Sequence, residues 1–146
     1  MKMRFAVFAG RLALGMLLIV AGGAKVGHAP DLAAAVAGFR LLPAWAVAPL
    51  ALVLPFFEIL LGGYLVAGLF TRVAAWVASI QLLGYAAVIA WAVLHGIPAS
   101  CGCFGPSDRA TADWPHVAFD AMLAVLAAAI AWRAPGALAV DERLAP

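Results

Sequence analysis

Four long apolar stretches constrain this chain more than any other feature of its sequence. They cover about residues 5–26, 46–69, 73–94 and 116–132. A bilayer core about 30 Å thick is crossed by a helix of roughly 20 apolar residues. Within lipid, every backbone polar group must find its partner inside the span, which a single stretch achieves only as a helix. We therefore predict an all-α membrane protein, built as a four-transmembrane-helix antiparallel bundle.

Composition excludes a water-soluble fold of this size. Hydrophobic residues make up 67% of the 146 residues and charged residues 11%, and the mean hydropathy is +1.08. Soluble domains average roughly 45–50% apolar and about 25% charged residues, and a small domain leaves much of its surface in water. The predicted partner is therefore the lipid bilayer. A net charge of +2, without a basic stripe interleaved with aromatic residues, predicts no nucleic-acid partner. The sequence indicates no oligomeric state.

The chain divides into one membrane domain and a tail. Residues 1–133 are predicted to form the four-helix domain, and residues 134–146 a flexible cytoplasmic tail. The link between the first two spans begins with Pro30 and Asp31, which are typical of a helix start. Apolar residues then recur at helical spacing. A short interfacial helix is therefore expected between helices 1 and 2.

The first span carries two features besides its hydrophobicity. Residues 1–24 also resemble a secretory signal peptide, but Arg11 and the length of the span favour a retained helix. Gly23 and Gly27 form a GxxxG step, a spacing that lets a neighbouring helix approach closely. We expect a retained helix with a candidate packing face at these two glycines.

Basic residues predict the orientation of the bundle. With the N-terminus inside, six of them fall in cytoplasmic segments and three in outer segments, namely Lys2, Arg4, Arg11, Arg72, Arg133 and Arg143 against Lys25, Arg40 and Arg109. The positive-inside rule then predicts a multi-pass protein of the bacterial inner membrane with both termini in the cytoplasm. The link between the third and fourth spans, which contains both cysteines, is predicted to be extracytoplasmic.

The sharpest motif is Cys101-Gly102-Cys103. Disulfides form and persist in an oxidising extracytoplasmic compartment. Gly102 tolerates a positive φ and so permits the bend that a bond between such close cysteines requires. Because exposed, strained disulfides are the labile ones, we predict a redox pair. A structural staple and two inert thiols are the alternatives.

Metal binding is the chemical rival for the same motif. His95 and His116 flank the two cysteines and would complete a set of four ligands. Their spacing matches no zinc pattern, and a histidine at a helix end is common. We therefore predict no metal.

Two acidic residues lie inside predicted spans. A carboxylate such as Glu58 near the bilayer centre costs at least about 2.5 kcal/mol on insertion scales, so it should face the bundle interior beside a cation, either Lys25 or Arg11. It would be a proton relay, a partner of a quinone headgroup or half of a structural ion pair. Asp120, four residues after His116, would manage protons or complement the helix dipole.

Several of these elements resemble the DoxX/MauE group of membrane proteins. They are the lysine that closes the first span (Lys25), the P-x-x-E of residues 55–58, the G-L-x-x-R of residues 68–72 and the C-G-C-F-G of residues 101–105. The similarity covers roughly residues 10–132 and is strongest to the MauE branch. We predict structural roles for Lys25, Arg72 and Gly102.

The resemblance also implies a function. A MauE-like protein would assist maturation or disulfide formation of a periplasmic quinoprotein, the small subunit of methylamine dehydrogenase. The architecture is also similar to the core of vitamin K epoxide reductase relatives, which couple disulfides to quinone. Those relatives carry two cysteine pairs and this chain has one, so its pair would exchange with a partner thiol protein or directly with a quinone.

The leading hypothesis is therefore a redox-associated maturation factor. Cys101 and Cys103 would exchange disulfides, and Glu58 and Asp120 would handle protons. Enzyme activity as a thiol-disulfide oxidoreductase and a quinone cofactor are left open. A non-catalytic membrane scaffold and a small permease that uses Glu58 as its coupling acid are the alternatives.

Overall fold

The computed structural model describes residues 1–98 and 112–144. In this part of the chain there are six helices and no strands: α1 (Lys2–Lys25), α2 (Ala29–Gly38), α3 (Ala44–Ala67), α4 (Thr71–Leu94), α5 (Trp114–Arg133) and α6 (Asp141–Leu144). Four of them, α1, α3, α4 and α5, are long and apolar enough to cross a membrane. They coincide with the four apolar stretches, and α2 lies where the interfacial helix was expected. The predicted fold class is confirmed.

Helices α1 and α3 form one tightly packed antiparallel pair. Glycines allow the approach, because a Cβ on Gly22 would lie 2.6 Å from the Pro55 carbonyl oxygen and one on Gly62 would lie 2.5 Å from the Gly15 carbonyl oxygen. Within the described part of the chain, the expected Gly23–Gly27 step packs against no helix, since a Cβ on either residue would meet nothing within 4 Å. Gly22 lies about 100° around the helix from Gly23, and that rotation decides which of the two glycines meets α3.

Helices α4 and α5 form the second pair, which packs through small side chains. Ala75, Ala78 and Ala127 are completely buried between them. The Ser79 hydroxyl donates a hydrogen bond of 2.9 Å to the Ala124 carbonyl oxygen. Within lipid, helix association depends on such close packing and interhelical hydrogen bonds, because lipid tails are as apolar as leucine. The two pairs contact each other less extensively than the helices within a pair.

The segment after α5 folds back onto the bundle as far as the structure describes it. The Ala137 amide donates to the Arg4 carbonyl oxygen at 3.1 Å, and the Asp141 amide donates to the Gly68 carbonyl oxygen at 3.0 Å. Ala139 is buried. The domain division and the flexibility of residues 134–146 stay predictions, but the described part of this segment has defined contacts.

The bundle has two distinguishable ends. The end that we call the termini end contains the start of α1, the turn between α3 and α4 and the segment after α5. The opposite end, the link end, contains α2, the end of α4 and the start of α5. The link of residues 99–111, with Cys101, Gly102 and Cys103, departs from the link end and lies outside the described residues. Which end faces the cytoplasm stays a prediction.

Candidate functional site

A buried ion pair joins α1 to α3. Lys25 and Glu58 are only 4% and 1% exposed. The Lys25 ammonium donates to Glu58 Oε1 at 2.9 Å and to Oε2 at 2.7 Å. The sequence left Lys25 and Arg11 as candidate partners of Glu58, and in the structure the partner is Lys25. Arg11 lies toward the termini end and binds other groups.

Helix geometry explains why these two residues meet. A Cα–Cβ bond in an α-helix leans toward the N-terminus of its own helix. Because α1 and α3 are antiparallel, Lys25 leans from the link end into the bundle while Glu58 leans toward the link end. Gly22 lies one turn before Lys25 and lets α3 approach, since the nearest atoms to its Cβ position belong to Pro55, Ile59 and Glu58.

Two polar residues of α4 complete the cluster, and the sequence analysis missed both. The Tyr85 hydroxyl donates to Glu58 Oε1 at 2.5 Å. Gln81 Nε2 lies 2.8 Å from the Tyr85 oxygen and 3.4 Å from Glu58 Oε1. Their spacing of four residues places them on one helix face. That spacing, and the fact that Gln81 is the only glutamine in the chain, is the signal that would have found them.

A large cavity lies beside this cluster, and we call it the lateral cavity. It has a volume of about 360 Å³ and is bounded by α2 and the residues after it, by α3 and by α4. Most of its lining is aliphatic or aromatic, and its polar residues are Lys25, Gln81 and Tyr85. The Lys25 side of the ion pair therefore lies at the wall of a mostly apolar cavity.

A smaller cavity lies on the other side of the ion pair, and we call it the inner cavity. Its volume is about 30 Å³, and Lys25, Glu58, Tyr85, His116 and Asp120 are among its lining residues. One water molecule requires roughly 10–15 Å³ of such space and two to four polar partners. The inner cavity meets both requirements.

Asp120 brings a second carboxyl group to this cavity from α5. It is 7% exposed, and its Oδ2 has no hydrogen-bond partner among the described residues. His116, one turn earlier, pairs through Nδ1 with Asp113 Oδ1 at 2.6 Å. That contact and the His116 backbone amide lower the pKa of Asp113, which caps the N-terminus of α5. Titratable groups thus extend from the link end to the ion pair.

The other residues singled out in the sequence lie apart from this cluster. Arg72 is exposed in the first turn of α4. His95 donates through Nδ1 to the Trp91 carbonyl oxygen at 2.9 Å, and its ring stacks on the Trp91 ring. The roles predicted for Cys101, Gly102 and Cys103 lie outside the described residues and stay predictions.

Arg11 and Asp141 are the structural residues that sequence reasoning did not identify as such. Arg11 is fully buried and donates to the carbonyl oxygens of Ala137 and Leu138 at 3.4 Å each. Asp141 accepts hydrogen bonds from the backbone amides of Phe70 and Thr71 at 2.7 and 2.8 Å and so caps the start of α4. No local pattern signals these contacts, because the partners are about 70 or more residues apart in sequence.

Fold and site together define a multi-pass helical membrane protein with a buried lysine–glutamate pair between two cavities. The family model of methylamine utilisation protein MauE matches residues 3–133. The chain is 35% identical over 133 residues to the methylamine utilization protein MauE of Paracoccus denitrificans, a match that covers 90% of this chain and 72% of that protein. It is also 35% identical over 126 residues to the protein of the same name from Methylorubrum extorquens, covering 86% of this chain and 68% of that protein. The chain belongs to the MauE family. No solved structure matches it.

Proposed function

We propose that this protein is an accessory membrane protein of methylamine utilisation that assists disulfide formation in a periplasmic partner. The partner would be a thiol protein such as the small subunit of methylamine dehydrogenase. Membership of the MauE family supports the metabolic assignment. The Cys101-Gly102-Cys103 motif supports the thiol chemistry.

The observation that carries the proposal is where the cysteine-containing link joins the bundle. Ile97 and Ala112 lie on either side of the link and pack against the buried cluster of Phe39 and Ala92, of which Phe39 also lines the lateral cavity. The link therefore begins and ends beside the cavity that Lys25 of the ion pair also lines. The described residues that flank the link are thus placed at the end of the bundle that also holds the buried carboxyl groups of the inner cavity.

The exchange itself would be a two-electron transfer. A thiolate of the partner attacks one sulfur of an oxidised Cys101–Cys103 pair, forms a mixed disulfide and breaks the sulfur–sulfur bond of the pair. The second thiolate of the partner then attacks the mixed disulfide, and both cysteines leave as thiols. The partner is oxidised and the pair is reduced. Reoxidation transfers two electrons and two protons to an acceptor, for which a membrane quinone is the candidate.

Glu58 and Asp120 would handle the protons of this reaction. Both are buried carboxyl groups on the inner cavity, and a water molecule there would connect the free Asp120 oxygen with the ion pair. His116 and Asp113, which contact each other, continue this row of titratable groups to the link end. Proton transfer needs donor and acceptor atoms within about 2.6–3.2 Å, directly or through one water.

Alkylation trapping in intact cells tests the proposal. During growth on methylamine, we expect Cys101 and Cys103 to change between thiol and disulfide when reductant is added. In Cys101→Ser or Cys103→Ser, the remaining thiolate can attack the disulfide of the oxidised partner and release one partner thiolate, so we expect a mixed disulfide between the two proteins to be trapped. A membrane-impermeant maleimide should reach the reduced pair from outside the cell.

The Cys101→Ser/Cys103→Ser variant is the control. Full maturation of the partner in this variant, with a wild-type pair that never changes redox state, would favour a scaffold and contradict the exchange. Loss of proton-coupled flux in Glu58→Gln, with both cysteines dispensable, would favour a permease instead.

A further inference from the structure

The lateral cavity opens toward the region where lipid would lie. Its outer rim includes Leu41, Leu42 and Leu50, which are exposed hydrophobic residues. Inside, its polar residues come together at one place, formed by Lys25, Gln81 and Tyr85, which we call the polar floor. A concave apolar site with a few convergent polar groups is the usual form of a small-molecule site.

The polar floor has one unmet donor and one unmet acceptor among the described residues. An ammonium group has three donors, and the two hydrogen bonds of Lys25 go to the Glu58 oxygens. The Tyr85 hydroxyl donates to Glu58, so its oxygen accepts from Gln81 Nε2. The amide of Gln81 is thereby oriented, and its Oε1 is buried without a partner.

A hydroxyl group meets both needs, because it accepts one hydrogen bond and donates another. A lipid tail would fill the apolar walls but leave both groups unpaired, and a carbonyl head would satisfy only Lys25. An unsatisfied buried polar group costs about 1–3 kcal/mol, so the difference in affinity is measurable.

The cavity volume limits the size of the ligand. An apolar protein cavity of about 150 Å³ holds one benzene molecule. By that measure, the lateral cavity, at about 360 Å³, accommodates roughly twelve carbon atoms. We propose that it binds a neutral, membrane-soluble amphiphile of this size whose hydroxyl accepts from Lys25 and donates to Gln81, the chemistry of a phenol or hydroquinone. This proposal does not depend on the thiol exchange.

The test compares two probes that differ only in the group on the aromatic oxygen, which is a hydrogen in one and a methyl in the other. The full chain is purified in detergent and titrated with 4-hexylphenol and with its methyl ether, 4-hexylanisole, and binding is measured by equilibrium dialysis at constant detergent. We expect the phenol to bind about tenfold more tightly than the ether, because only the phenol donates to Gln81. Equal binding of the two probes would overturn the proposal.

Three variants locate the binding. A Cβ on Gly84 would meet nothing within 4 Å, so Gly84→Leu adds a side chain at the lining of the lateral cavity from an unobstructed Cβ position and should weaken phenol binding at least tenfold. Gly63→Leu is the matched control, because the same open space surrounds its Cβ position and it does not line the cavity. Gln81→Met should abolish the preference for the phenol. Unchanged phenol binding in Gly84→Leu would place the probe elsewhere.

The outcome is distinguishable from that of the proposed function. The Cys101→Ser/Cys103→Ser variant should bind the phenol as tightly as the wild type, whether or not the exchange occurs. Failure of phenol binding would leave the thiol exchange standing, and failure of the exchange would leave the cavity site standing.

Discussion

Helix α1 buries two cations, and their surroundings differ in kind. Arg11 and Lys25 are 14 positions apart, which is about 21 Å along the helix. Arg11 donates to backbone carbonyl oxygens of the segment after α5. Lys25 instead donates to both oxygens of one carboxylate, that of Glu58. Among residues 1–98 and 112–144, no carboxylate binds Arg11 directly, whereas Glu58 neutralises the charge of Lys25.

The difference follows from the chemistry of the two side chains. The planar guanidinium of arginine presents five donors in fixed directions and therefore suits several carbonyl groups at once. The ammonium of lysine is a compact charge with three donors, and two of them go to Glu58. Arg11 therefore joins chain segments, while Lys25 belongs to a polar site that faces two cavities. Burial of a charge alone therefore does not identify a functional residue.

The largest effect should come from separating the lysine from its counterion. Lys25→Met leaves the Glu58 carboxylate buried beside Tyr85 and Gln81, and breaking such a pair typically costs about 3–5 kcal/mol. We expect that loss in the free energy of unfolding measured in detergent. The double variant Lys25→Met/Glu58→Leu should regain most of it, because no uncompensated charge remains. A double variant as unstable as Lys25→Met would show that Glu58 is not the main partner of the lysine.

Removing the arginine should have a smaller and more local effect. Arg11→Met leaves the carbonyl oxygens of Pro135, Ala137 and Leu138 without their donor, at a cost of about 1–3 kcal/mol. We expect faster proteolytic cleavage after residue 133 and unchanged phenol binding in the lateral cavity. Arg72→Met is the control, because Arg72 is exposed. Equal cleavage of the two variants would contradict the role of Arg11 in holding this segment.

Two adjacent glycines near Lys25 provide a matched pair of variants. Gly22→Ala places a methyl group against the Pro55 carbonyl oxygen, and overpacking of this kind typically costs about 1–3 kcal/mol. Gly23→Ala places the same group in open space and should not destabilise the protein, because alanine is favoured over glycine within a helix by roughly 0.5–1 kcal/mol. Thermal unfolding of both variants measures the difference. The close approach of α1 to α3 would be disproved if both alanines were tolerated equally.

The smallest effect concerns Asp141, close to Arg11 at the termini end. Partial burial raises the pKa of Asp141, but the amides of Thr71 and Phe70 and the charge of Arg11 lower it more, so it lies below its ordinary value of 3.8. Loss of a helix cap costs about 0.5–2 kcal/mol, and we expect Asp141→Ala to fall in this range at neutral pH.

The sign of its pH dependence follows from that lowered pKa. Above pH 3.8 the carboxylate is ionised in both the folded and the unfolded chain, so its contribution to stability is complete. Below that pH the unfolded chain takes up the proton first, and the contribution is lost as the pH falls through the lower pKa of the folded state. The difference in stability between the wild type and Asp141→Ala should therefore shrink only in this acidic range. A constant difference down to pH 2 would contradict the cap.

Sequence reasoning was successful where the signal was local. Each span is one uninterrupted apolar stretch, and Pro30 and Asp31 indicated α2 from within a single turn. The location of Glu58 inside a bundle also followed from its own position, since a carboxylate within lipid must face protein. By contrast, Gly22 rather than Gly23 meets α3, and only the rotation of α1 against its neighbour determines that.

By itself, the sequence determined the four helices, their antiparallel order and the burial of Glu58, because the cost of exposing backbone groups or a carboxylate to lipid depends on each segment alone. Tertiary structure decided that Lys25 rather than Arg11 pairs with Glu58, that Gln81 and Tyr85 join them and that Asp141 caps α4. These contacts join residues 23 to 70 positions apart. Their physical cause is the packing of helices in pairs, which sets the height and rotation of each helix relative to its neighbours.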